Sequence, residues 1–450
     1  MKYLCMAMLA IILLCACAHE GRKEAFAKSQ LPSVTVRAEE PVYSFVSPDN
    51  GSGPLWSYGC TPIARLGDEV YVSQMETGEG IPPLCNTRWR LLHREQGQWR
   101  MIAEADAFRQ REPCPLARLS DAQLVMNVND STQPQGTKYG VCDPHLIKFV
   151  FPDGSHERSE LRPVWTDQPY YTDHSYRGFA ADTGRHQLLM LNIDAKTSIQ
   201  HACLLSSDGE TLATGSIKFP IRACYPQVQL SKGAAYVLAI GDIVEPVKAW
   251  REYKFEQTQR SWDYVFRILY FTGTPNLFKQ NFAEPMEIAN VDATGGYISN
   301  KDLWVSPRGE AYILYTECEV ASALLRDKFF PGKSIINSLN LAVVKQGKIV
   351  ERRRLISGTE KSAPGEARFH LTPDGTLWAV IFMSGETGGN SLLRINPPDP
   401  ENRLIPIPLK TPMSGYCLAS VRAGNIPSYT IDMLGCLSGN VMAYAEIAMR

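Results

Sequence analysis

The sequence predicts an all-β protein folded as a seven-bladed β-propeller, and three observations support this prediction. One pattern of short hairpin recurs along the chain, a more polar hairpin lies between successive copies, and helical periodicity is nearly absent. A six-bladed ring with an irregular insertion is the alternative, because the fourth copy is long and the seventh departs from the pattern. The seven copies of the recurring hairpin begin at residues 61, 114, 176, 225, 300, 367 and 416.

Each copy contains a short strand, a turn rich in Gly, Asp or Ser, and a strongly apolar strand, as in "ARFHLTPDGTLWAVIF" from residue 367. The hairpins between the copies are amphipathic, as in "LNLAVVKQGKIVERRRL" from residue 339. An apolar hairpin followed by a polar-edged one is the order of strands in a propeller blade, from the channel to the rim. We predict only one short helix, over residues 322–330.

The two ends of the repeat array indicate how the ring closes. Residues 33–46 read as a single strand that precedes the first full hairpin, whereas the last unit lacks a fourth strand. We therefore expect the N-terminal strand to complete the last blade. The domain prediction is a signal peptide over residues 1–17, a tether over residues 18–40 and a single propeller over residues 41–450.

The first residues are typical of an export signal. Lys2 precedes an apolar run over residues 4–14, which is too short to span a bilayer comfortably. The run ends in Leu14-Cys15-Ala16-Cys17, which resembles a bacterial lipobox. The resemblance implies lipid attachment at Cys17 and a membrane-anchored protein of the bacterial cell envelope, on the periplasmic side or the outer-membrane surface. Cleavage after Ala16 or Ala18 without lipidation is the alternative.

Composition limits the partners. The formal net charge of the 450 residues is −1, which gives no support to a nucleic-acid partner, and we expect a monomer. The nine cysteines beyond Cys17 contain no C-x-x-C pair, so the sequence predicts no structural zinc. Cys203 with Cys224, or Cys114 with Cys142, could form disulfides. No cofactor or metal ligand cluster is evident, although a propeller channel could hold a cation such as calcium.

Propeller geometry selects candidate site residues. Residues just before each innermost strand, and just after each second strand, converge on one face of the ring. Arginine suits a carboxylate or sulfate through forked hydrogen bonds, and tyrosine offers a stacking surface for a sugar ring. The side chains that stand before the predicted inner strands are Arg111, Glu112, His174, Tyr176, Arg177, Arg222, Tyr225, Lys301, Asp302, Arg368 and His370.

One turn of the repeat resembles a known motif. In "LTPDGTLWAV", Thr372, Asp374, Gly375 and Trp378 resemble the Asp-box of sialidase-like BNR repeats, with one residue missing between Asp and Gly. Over roughly residues 40–450 the chain resembles the seven-bladed propellers of bacterial carbohydrate-active proteins, a group that includes ulvan lyases and rhamnosyl-glucuronate lyases. The resemblance implies action on an acidic, uronate-containing glycan by β-elimination. The Arg-Ile-Pro motif of true sialidases is missing, which argues against sialidase chemistry. A sialidase-like hydrolase is therefore kept only as an alternative to the lyase.

Roles for the candidates follow from the chemistry of a uronate lyase, which must neutralise the carboxylate, remove the C5 proton and protonate the leaving oxygen. We assign carboxylate binding to Arg177, Arg222 and Arg368. His174 is assigned as the base, and the alternative interpretation is a hydrogen-bonded loop histidine without a catalytic role. His370 is the alternative base, and Tyr176 or Tyr225 is the acid. Arg111, Glu112, Lys301 and Asp302 are predicted either to contact substrate or to lock adjacent blades as ion pairs.

Two further alternatives belong to other functional classes. A glycoside hydrolase would need two carboxylates flanking a bond, with Glu112, Asp242, Asp302 and Glu317 as candidates. A non-catalytic glycan-binding or surface-assembly protein would use the same ring without turnover. Away from the site, Arg352, Arg353 and Arg354 are predicted to form a solvated strand edge. Trp89, Trp99 and Trp262 are predicted to pack between blades.

Overall fold

The computed structural model describes residues 31–56, 59–152, 155–386 and 388–450. Seven four-stranded antiparallel sheets are arranged in a ring, so the predicted seven-bladed β-propeller is confirmed. The innermost strands of neighbouring blades contact one another around the central channel. We call the face where the innermost strands begin the upper face and the face where they end the lower face.

The strands of the first four blades follow the chain order of the repeat. β1 (Val34–Ser44) precedes blade 1. Blade 1 contains β2 (Ile63–Leu66), β3 (Glu69–Thr77), β4 (Thr87–Glu95) and β5 (Gln98–Glu104). Blade 2 contains β6 (Leu116–Ser120), β7 (Gln123–Ser131), β8 (Cys142–Val150) and β9 (Glu157–Leu161). Blade 3 contains β10 (Gly178–Asp182), β11 (Gln187–Ile193), β12 (Gln200–Ser206) and β13 (Thr211–Ile217). Blade 4 contains β14 (Ala223–Ser231), β15 (Ala234–Gly241), β18 (Ile268–Thr274) and β19 (Met286–Asn290).

Blade 4 also carries an insertion between its second and third strands. It consists of a short ribbon, β16 (Ile243–Val244) with β17 (Tyr264–Val265), and the helix α1 (Lys248–Thr258) between them. A 3-10 turn (Asp292–Thr294) follows the blade. The insertion explains why the fourth copy of the repeat is long, and it leaves the blade count unchanged.

The last three blades complete the ring. Blade 5 contains β20 (Tyr297–Val305), β21 (Ala311–Cys318), β22 (Ser338–Lys345) and β23 (Lys348–Ser357). Blade 6 contains β24 (Ser362–Leu371), β25 (Leu377–Gly385), β26 (Gly389–Asn396) and β27 (Ile405–Pro406). Blade 7 contains β28 (Tyr416–Leu418), β29 (Thr430–Leu437) and β30 (Val441–Met449), with β1 as its outermost strand.

The short helix predicted over residues 322–330 is present in blade 5 as α2 (Ala323–Phe329). The Ser322 hydroxyl caps it by accepting a hydrogen bond from the Leu325 amide. None of the helices in the described ranges is long and apolar enough to cross a membrane.

Ring closure follows the prediction. β1 pairs antiparallel with β30 from Val34 opposite Met449 to Ser44 opposite Val441. Residues 34–40, which the domain prediction places in the tether, therefore belong to the propeller. Cys17 and the predicted signal peptide lie outside the described residues.

Apolar contacts between blades form the core. Trp89 of blade 1 packs edge-on against Phe149 of blade 2, with ring centroids 6.0 Å apart. Trp99 packs in the same manner against Tyr444 of blade 7 at 5.5 Å. These two tryptophans lie between blades, as the sequence predicts. Because each blade buries apolar side chains against both neighbours, the ring is stabilised around its full circumference.

Neither predicted disulfide is formed, and Cys114, Cys142, Cys203 and Cys224 are all unbridged thiols. Cys114 precedes the innermost strand of blade 2, whereas Cys142 begins the third strand, so β7 lies between them. Two strand spacings amount to roughly 10 Å, beyond the reach of a disulfide. Cys203 lies on the third strand of blade 3, and Cys224 on the innermost strand of blade 4.

The lower end of the channel is closed by residues 419–429, which connect β28 to β29 and which we call the plug. Its backbone accepts hydrogen bonds from the amides of Arg118 in blade 2 and Ala181 in blade 3, at 2.8 and 2.9 Å. Gly424 has φ +80°, and a Cβ there would lie 2.0 Å from the Arg118 carbonyl oxygen. The seventh copy of the repeat departs from the pattern because it supplies this plug instead of a tight turn.

Arg422 carries the plug into the channel. Its guanidinium donates hydrogen bonds to the carbonyl oxygens of Gly59 and Val228, both at 3.0 Å, and forms a buried ion pair with Asp302. Three separate parts of the ring are thereby joined by one side chain.

On the upper face, the chain passes from the rim of blade 7 toward the centre through residues 45–56, which we call the strap. Asn50 holds the strap down by donating hydrogen bonds to the Leu84 carbonyl at 2.9 Å and the Arg111 carbonyl at 3.2 Å. Trp56 packs against Tyr225 with ring centroids 5.9 Å apart. Gly51 and Trp56 line one cavity on each side of the strap. The strap therefore divides the upper face in two.

Candidate active site

Two cavities open on the upper face, with volumes of about 620 and 410 Å³. The larger one, here the main cavity, lies over blades 3 and 4, beside the strap and the blade 4 insertion. The smaller one, here the side cavity, lies toward blades 6 and 7. The main cavity brings together five of the predicted site residues, which are Arg111, His174, Tyr176, Arg222 and Tyr225.

His174 is oriented by a buried carboxylate. Its Nδ1 lies 2.6 Å from Oε1 of Glu112, whose side chain is only 5 % exposed. An ionised carboxylate accepts hydrogen bonds and cannot donate them, so Nδ1 carries the proton. The other ring nitrogen, Nε2, has no partner among the described residues and is left unprotonated in the neutral ring. This is the arrangement required of a general base.

Glu112 is kept ionised by its surroundings. Burial raises the pKa of Glu112, but the hydrogen bond from His174 and the charge of Arg177 outweigh it and lower the pKa to about 2. The Ser175 hydroxyl donates to Oε2 of Glu112 at 2.7 Å and accepts from Nε of Arg177 at 3.0 Å. Glu112 and Arg177 are both buried beneath the main cavity, where they support His174. Arg177, to which the sequence interpretation assigns carboxylate binding, does not line the cavity.

Tyr176, Arg222 and Asp242 form a second cluster on the cavity wall. The Arg222 guanidinium donates to the Tyr176 hydroxyl at 2.7 Å, and that hydroxyl donates to Oδ2 of Asp242 at 3.1 Å. Arg222 also lies 3.3 Å from Oδ2 of Asp242 and keeps 28 % of its side chain exposed. Burial raises the pKa of Tyr176, so the phenol keeps its proton.

The two cavity tyrosines adopt an uncommon backbone conformation. Tyr176 has φ +42° and Tyr225 has φ +52°, a region that costs a residue with a Cβ on the order of 1–3 kcal/mol. Their rings meet edge-on with centroids 4.9 Å apart. Tyr176 also contacts the His174 ring at 3.8 Å. The backbone strain places the predicted base and both candidate acids on one patch of wall.

The blade 4 insertion builds the mouth of the cavity, and sequence reasoning missed it. Trp262 is 76 % exposed and lines the cavity instead of packing between blades, which corrects the prediction for this residue. It lies 4.8 Å from the Tyr264 ring, which in turn lies 5.5 Å from the Arg222 guanidinium. The unusual length of the fourth repeat was the only signal for this wall.

Arg111 lines the main cavity but has structural partners. It forms an ion pair with Asp173 at 2.7 Å and donates to the Asn50 carbonyl of the strap at 3.0 Å. It therefore joins blade 2 to the strap and blade 3, which agrees with the blade-locking interpretation.

The remaining predicted residues lie outside the main cavity. Arg368 lines the side cavity, where it pairs with Glu366 at 3.2 Å, and Lys301 lies 3.7 Å from the same carboxylate. Asp302 is paired with Arg422 of the plug. These contacts are ion pairs within and between blades.

His370 lies at the lower end of the channel. Its Nε2 is 2.7 Å from the Ser428 carbonyl of the plug, and burial lowers its pKa. The physical reason for the difference is strand position: β24 begins at Ser362, so Arg368 and His370 are well inside the strand and not before it. Arg368 and His370 therefore do not join His174.

No group of three or more His, Cys, Asp or Glu side chains is placed to hold a metal ion anywhere in the described ranges. The four carboxylates that line or adjoin the main cavity are all engaged. Glu112 and Asp242 have the partners given above. Asp194 accepts hydrogen bonds from backbone amides, and Asp263 pairs with Lys254 at 2.7 Å.

Replacing Glu112 with Gln is expected to lower turnover roughly ten- to hundred-fold while the substrate's KM changes little. A glutamine amide can donate to Nδ1 of His174, which would move the ring proton to Nε2 and remove the base. The kcat and KM of wild-type and Glu112→Gln proteins, measured on the same glycan, check this. Glu366→Gln, which alters a buried carboxylate of the side cavity, is the matched control and is expected to leave kcat unchanged.

The low pKa of Glu112 also predicts acid sensitivity. Its folded-state pKa of about 2 lies below the ordinary 4.5, so Glu112 stabilises the fold fully above pH 4.5. That contribution is lost as the pH falls from 4.5 toward 2, and amounts to roughly 3 kcal/mol at most. Urea unfolding at a series of pH values measures it. The difference in unfolding free energy between wild type and Glu112→Gln should shrink over this window; a constant difference would contradict the assignment.

Comparisons with known proteins add the fold but no family. No protein-family model matches the chain, and no curated protein matches it in sequence. A PL25 ulvan lyase superposes with a TM-score of 0.53 at 10 % identity, covering 92 % of this chain and 97 % of its own. The structure of a PL25 ulvan lyase bound to -[GlcA(1-4)Rha3S]- has the same TM-score and identity, covering 92 % and 98 %. The polysaccharide lyase Uly1 has a TM-score of 0.51 at 9 % identity, covering 93 % and 99 %. At such identities the likeness is one of fold.

Proposed function

We propose that the protein binds an acidic, uronate-containing glycan in the main cavity and cleaves it by β-elimination. The observation that carries the proposal is the juxtaposition of a histidine with an unprotonated Nε2, a protonated tyrosine and a partly exposed arginine on one cavity wall. The structural likeness to polysaccharide lyases, one of them bound to a glucuronate-containing glycan, is consistent with this substrate class.

The chemistry of each step fits one side chain. Arg222 binds the uronate carboxylate and stabilises the negative charge that develops when C5 loses its proton. His174 Nε2 accepts that proton, and the C5–H electron pair forms the C4–C5 double bond as the C4–O4 bond breaks. Tyr176 donates its phenolic proton to the departing O4, with Tyr225 as the alternative donor. Trp262 offers an exposed ring on which a neighbouring sugar can stack.

The hydrolase alternative has less support. A glycoside hydrolase needs two carboxyl groups that face the bond. Asp242 is only 3 % exposed and is occupied by Tyr176 and Arg222, and Glu112 lies behind His174. Neither presents a free carboxyl group to the cavity.

The proposal is tested by incubating the purified protein with a panel of uronate-containing polysaccharides. The ultraviolet absorbance of an unsaturated uronate product is the expected result, and Arg222→Ala should abolish it. Binding to the same polysaccharides without any such absorbance would instead identify a non-catalytic glycan-binding protein. Reducing ends that form without a double bond would identify a hydrolase.

We also propose export and lipid attachment at Cys17, on the strength of the lipobox-like sequence. Cells that express the full chain with a fatty-acid analogue should yield labelled protein in the membrane fraction. Cys17→Ser should yield unlabelled protein. If that variant were labelled to the same extent as the wild type, lipid attachment at Cys17 would be refuted.

A further inference from the structure

We infer that a cleft between blades 4 and 5 is a second binding site for acidic sugar residues, separate from the main cavity. The cleft has a volume of about 560 Å³ and lies where the outer strands of the two blades face each other. The inference extends the proposed function and rests on it only for the choice of an acidic glycan as ligand. The polar residues that line the cleft are Asn290, Tyr315, Glu317, Asn340, Arg352, Arg353 and Arg354.

Strand geometry separates the three consecutive arginines of β23. Arg353 lies on one side of the strand and donates to the Ile395 carbonyl of blade 6 at 3.3 Å. Arg352 and Arg354 lie on the opposite side, toward blade 4. Arg352 is anchored there by a hydrogen bond to the Ile288 carbonyl. The run is therefore not a uniform solvated edge, because all three arginines line a cleft and two of them, Arg352 and Arg354, lie on its blade 4 side.

Arg354 is exposed and has no ion-pair partner among the described residues. Its guanidinium is free to form a forked pair with a carboxylate or sulfate, the geometry for which arginine is suited. Arg352, two residues earlier on the same face, adds a second positive charge at a fixed position. Together they supply the cation half of an oxyanion site.

Glu317 and Asn340 supply a different kind of partner. The Glu317 carboxyl group is half-buried and makes no hydrogen bond or ion pair within the described residues, although it shares the cleft with both arginines. Burial raises its pKa against the opposing effect of Arg354 and Arg352. Asn340 also lines the cleft and is buried, and its amide nitrogen donates to the Ser338 hydroxyl at 3.1 Å, which leaves its Oδ1 to accept from a sugar hydroxyl. Carboxyl and amide groups of this kind bind sugar hydroxyls, so the cleft offers partners for both parts of an acidic sugar.

A glycan fits these features better than a nucleic acid does. Nucleic-acid sites track a phosphate backbone with an extended basic stripe, and base stacking requires exposed aromatic rings. Here the three arginines lie on one short stretch of strand beside a carboxyl group, Tyr315 is buried, and the net charge of the chain is −1.

The test measures binding of polygalacturonate and of dextran sulfate by affinity electrophoresis, with neutral dextran as reference. All proteins carry His174→Gln, so that turnover during the measurement is slowed by about a hundred-fold or more. Arg354→Ala is expected to weaken binding roughly ten-fold, the loss of one charge-assisted pair. Arg352→Lys keeps the positive charge and most of the side-chain packing but removes the planar guanidinium. It therefore tests whether forked hydrogen bonding contributes to binding. Lys348→Ala with Lys361→Ala removes two exposed charges elsewhere and should have no effect. The polyanion that responds identifies carboxylate or sulfate.

Unchanged affinity of Arg354→Ala for both polyanions, or an equal loss in the lysine control, would overturn the inference. The inference would also be overturned if a polynucleotide bound the protein as tightly as either glycan and this binding depended on Arg354. The turnover of short oligosaccharides by the otherwise wild-type protein separates this result from the proposed function. Arg354-dependent binding without any unsaturated product would leave the cleft assigned and refute the lyase. Formation of unsaturated product, with no effect of Arg354→Ala on binding, would support the lyase and refute the second binding site.

Discussion

Replacing His174 with Gln is expected to lower the rate of β-elimination about a hundred- to ten-thousand-fold, the range typical for loss of a general base. The geometry explains why the loss should fall on kcat. His174 Nδ1 is held by Glu112, so Nε2 is the atom that removes the proton, whereas Arg222 still binds the carboxylate in the variant. Steady-state kinetics should therefore show a large fall in kcat with KM within a few-fold.

The control for this variant is His186→Gln. His186 is exposed at a lower-face turn of blade 3, far from the main cavity, and its replacement should leave both constants unchanged. If His174→Gln retained wild-type kcat, His174 would be an oriented loop residue and another base would have to be found. Tyr176→Phe and Tyr225→Phe then distinguish the two candidate acids, because only replacement of the residue that donates the proton should lower kcat.

Replacing Arg422 with Ala is expected to lower the free energy of unfolding by about 3–5 kcal/mol. Arg422 joins the plug to Asp302, Gly59 and Val228, and all of its contacts are buried. Its removal would leave the Asp302 charge without its Arg422 partner and would remove two buried hydrogen bonds to carbonyl oxygens. Denaturant unfolding followed by tryptophan fluorescence measures the change.

A double-mutant cycle isolates the ion pair. Asp302→Asn removes the charge that Arg422 neutralises, so Arg422→Ala should cost less in that background. Arg100→Ala is the matched surface control, since Arg100 pairs with Glu95 at 2.9 Å but is 66 % exposed, and its loss should cost about 0–1 kcal/mol. Equal costs for Arg422 and Arg100 would mean that the plug does not contribute to stability.

The fold could be predicted because the repeated blades of a propeller appear as a repeated pattern in the amino-acid sequence. Every blade repeats an apolar hairpin and an amphipathic one, and the unpaired strand at residues 33–46 had only one place to pair. The plug and the strap could not be predicted in the same manner. Both are irregular segments whose positions depend on contacts with distant blades, such as the bonds from Arg422 to Gly59 and Val228.

The site was predictable where residues stood immediately before an inner strand. His174, Tyr176 and Arg222 precede β10 and β14, and the structure brings them together with Tyr225. Arg368 and His370 were misplaced because the pattern set the start of β24 too late. Trp262 was misassigned because the sequence around it resembles an outer hairpin, whereas the insertion turns it back over the cavity.

The strap has a consequence for biosynthesis. It is held at the rim by β1, which pairs with β30, a strand translated after all the other described strands. During translation, β1 therefore stays unpaired while blades 1 to 6 are synthesised, because its partner strand β30 has not yet been made. The cavity wall formed by the strap cannot be fixed until the last blade has been synthesised and has paired with the first strand. An incomplete chain would thus carry His174, Tyr176 and Arg222 without an assembled site, and activity would appear only with the finished ring.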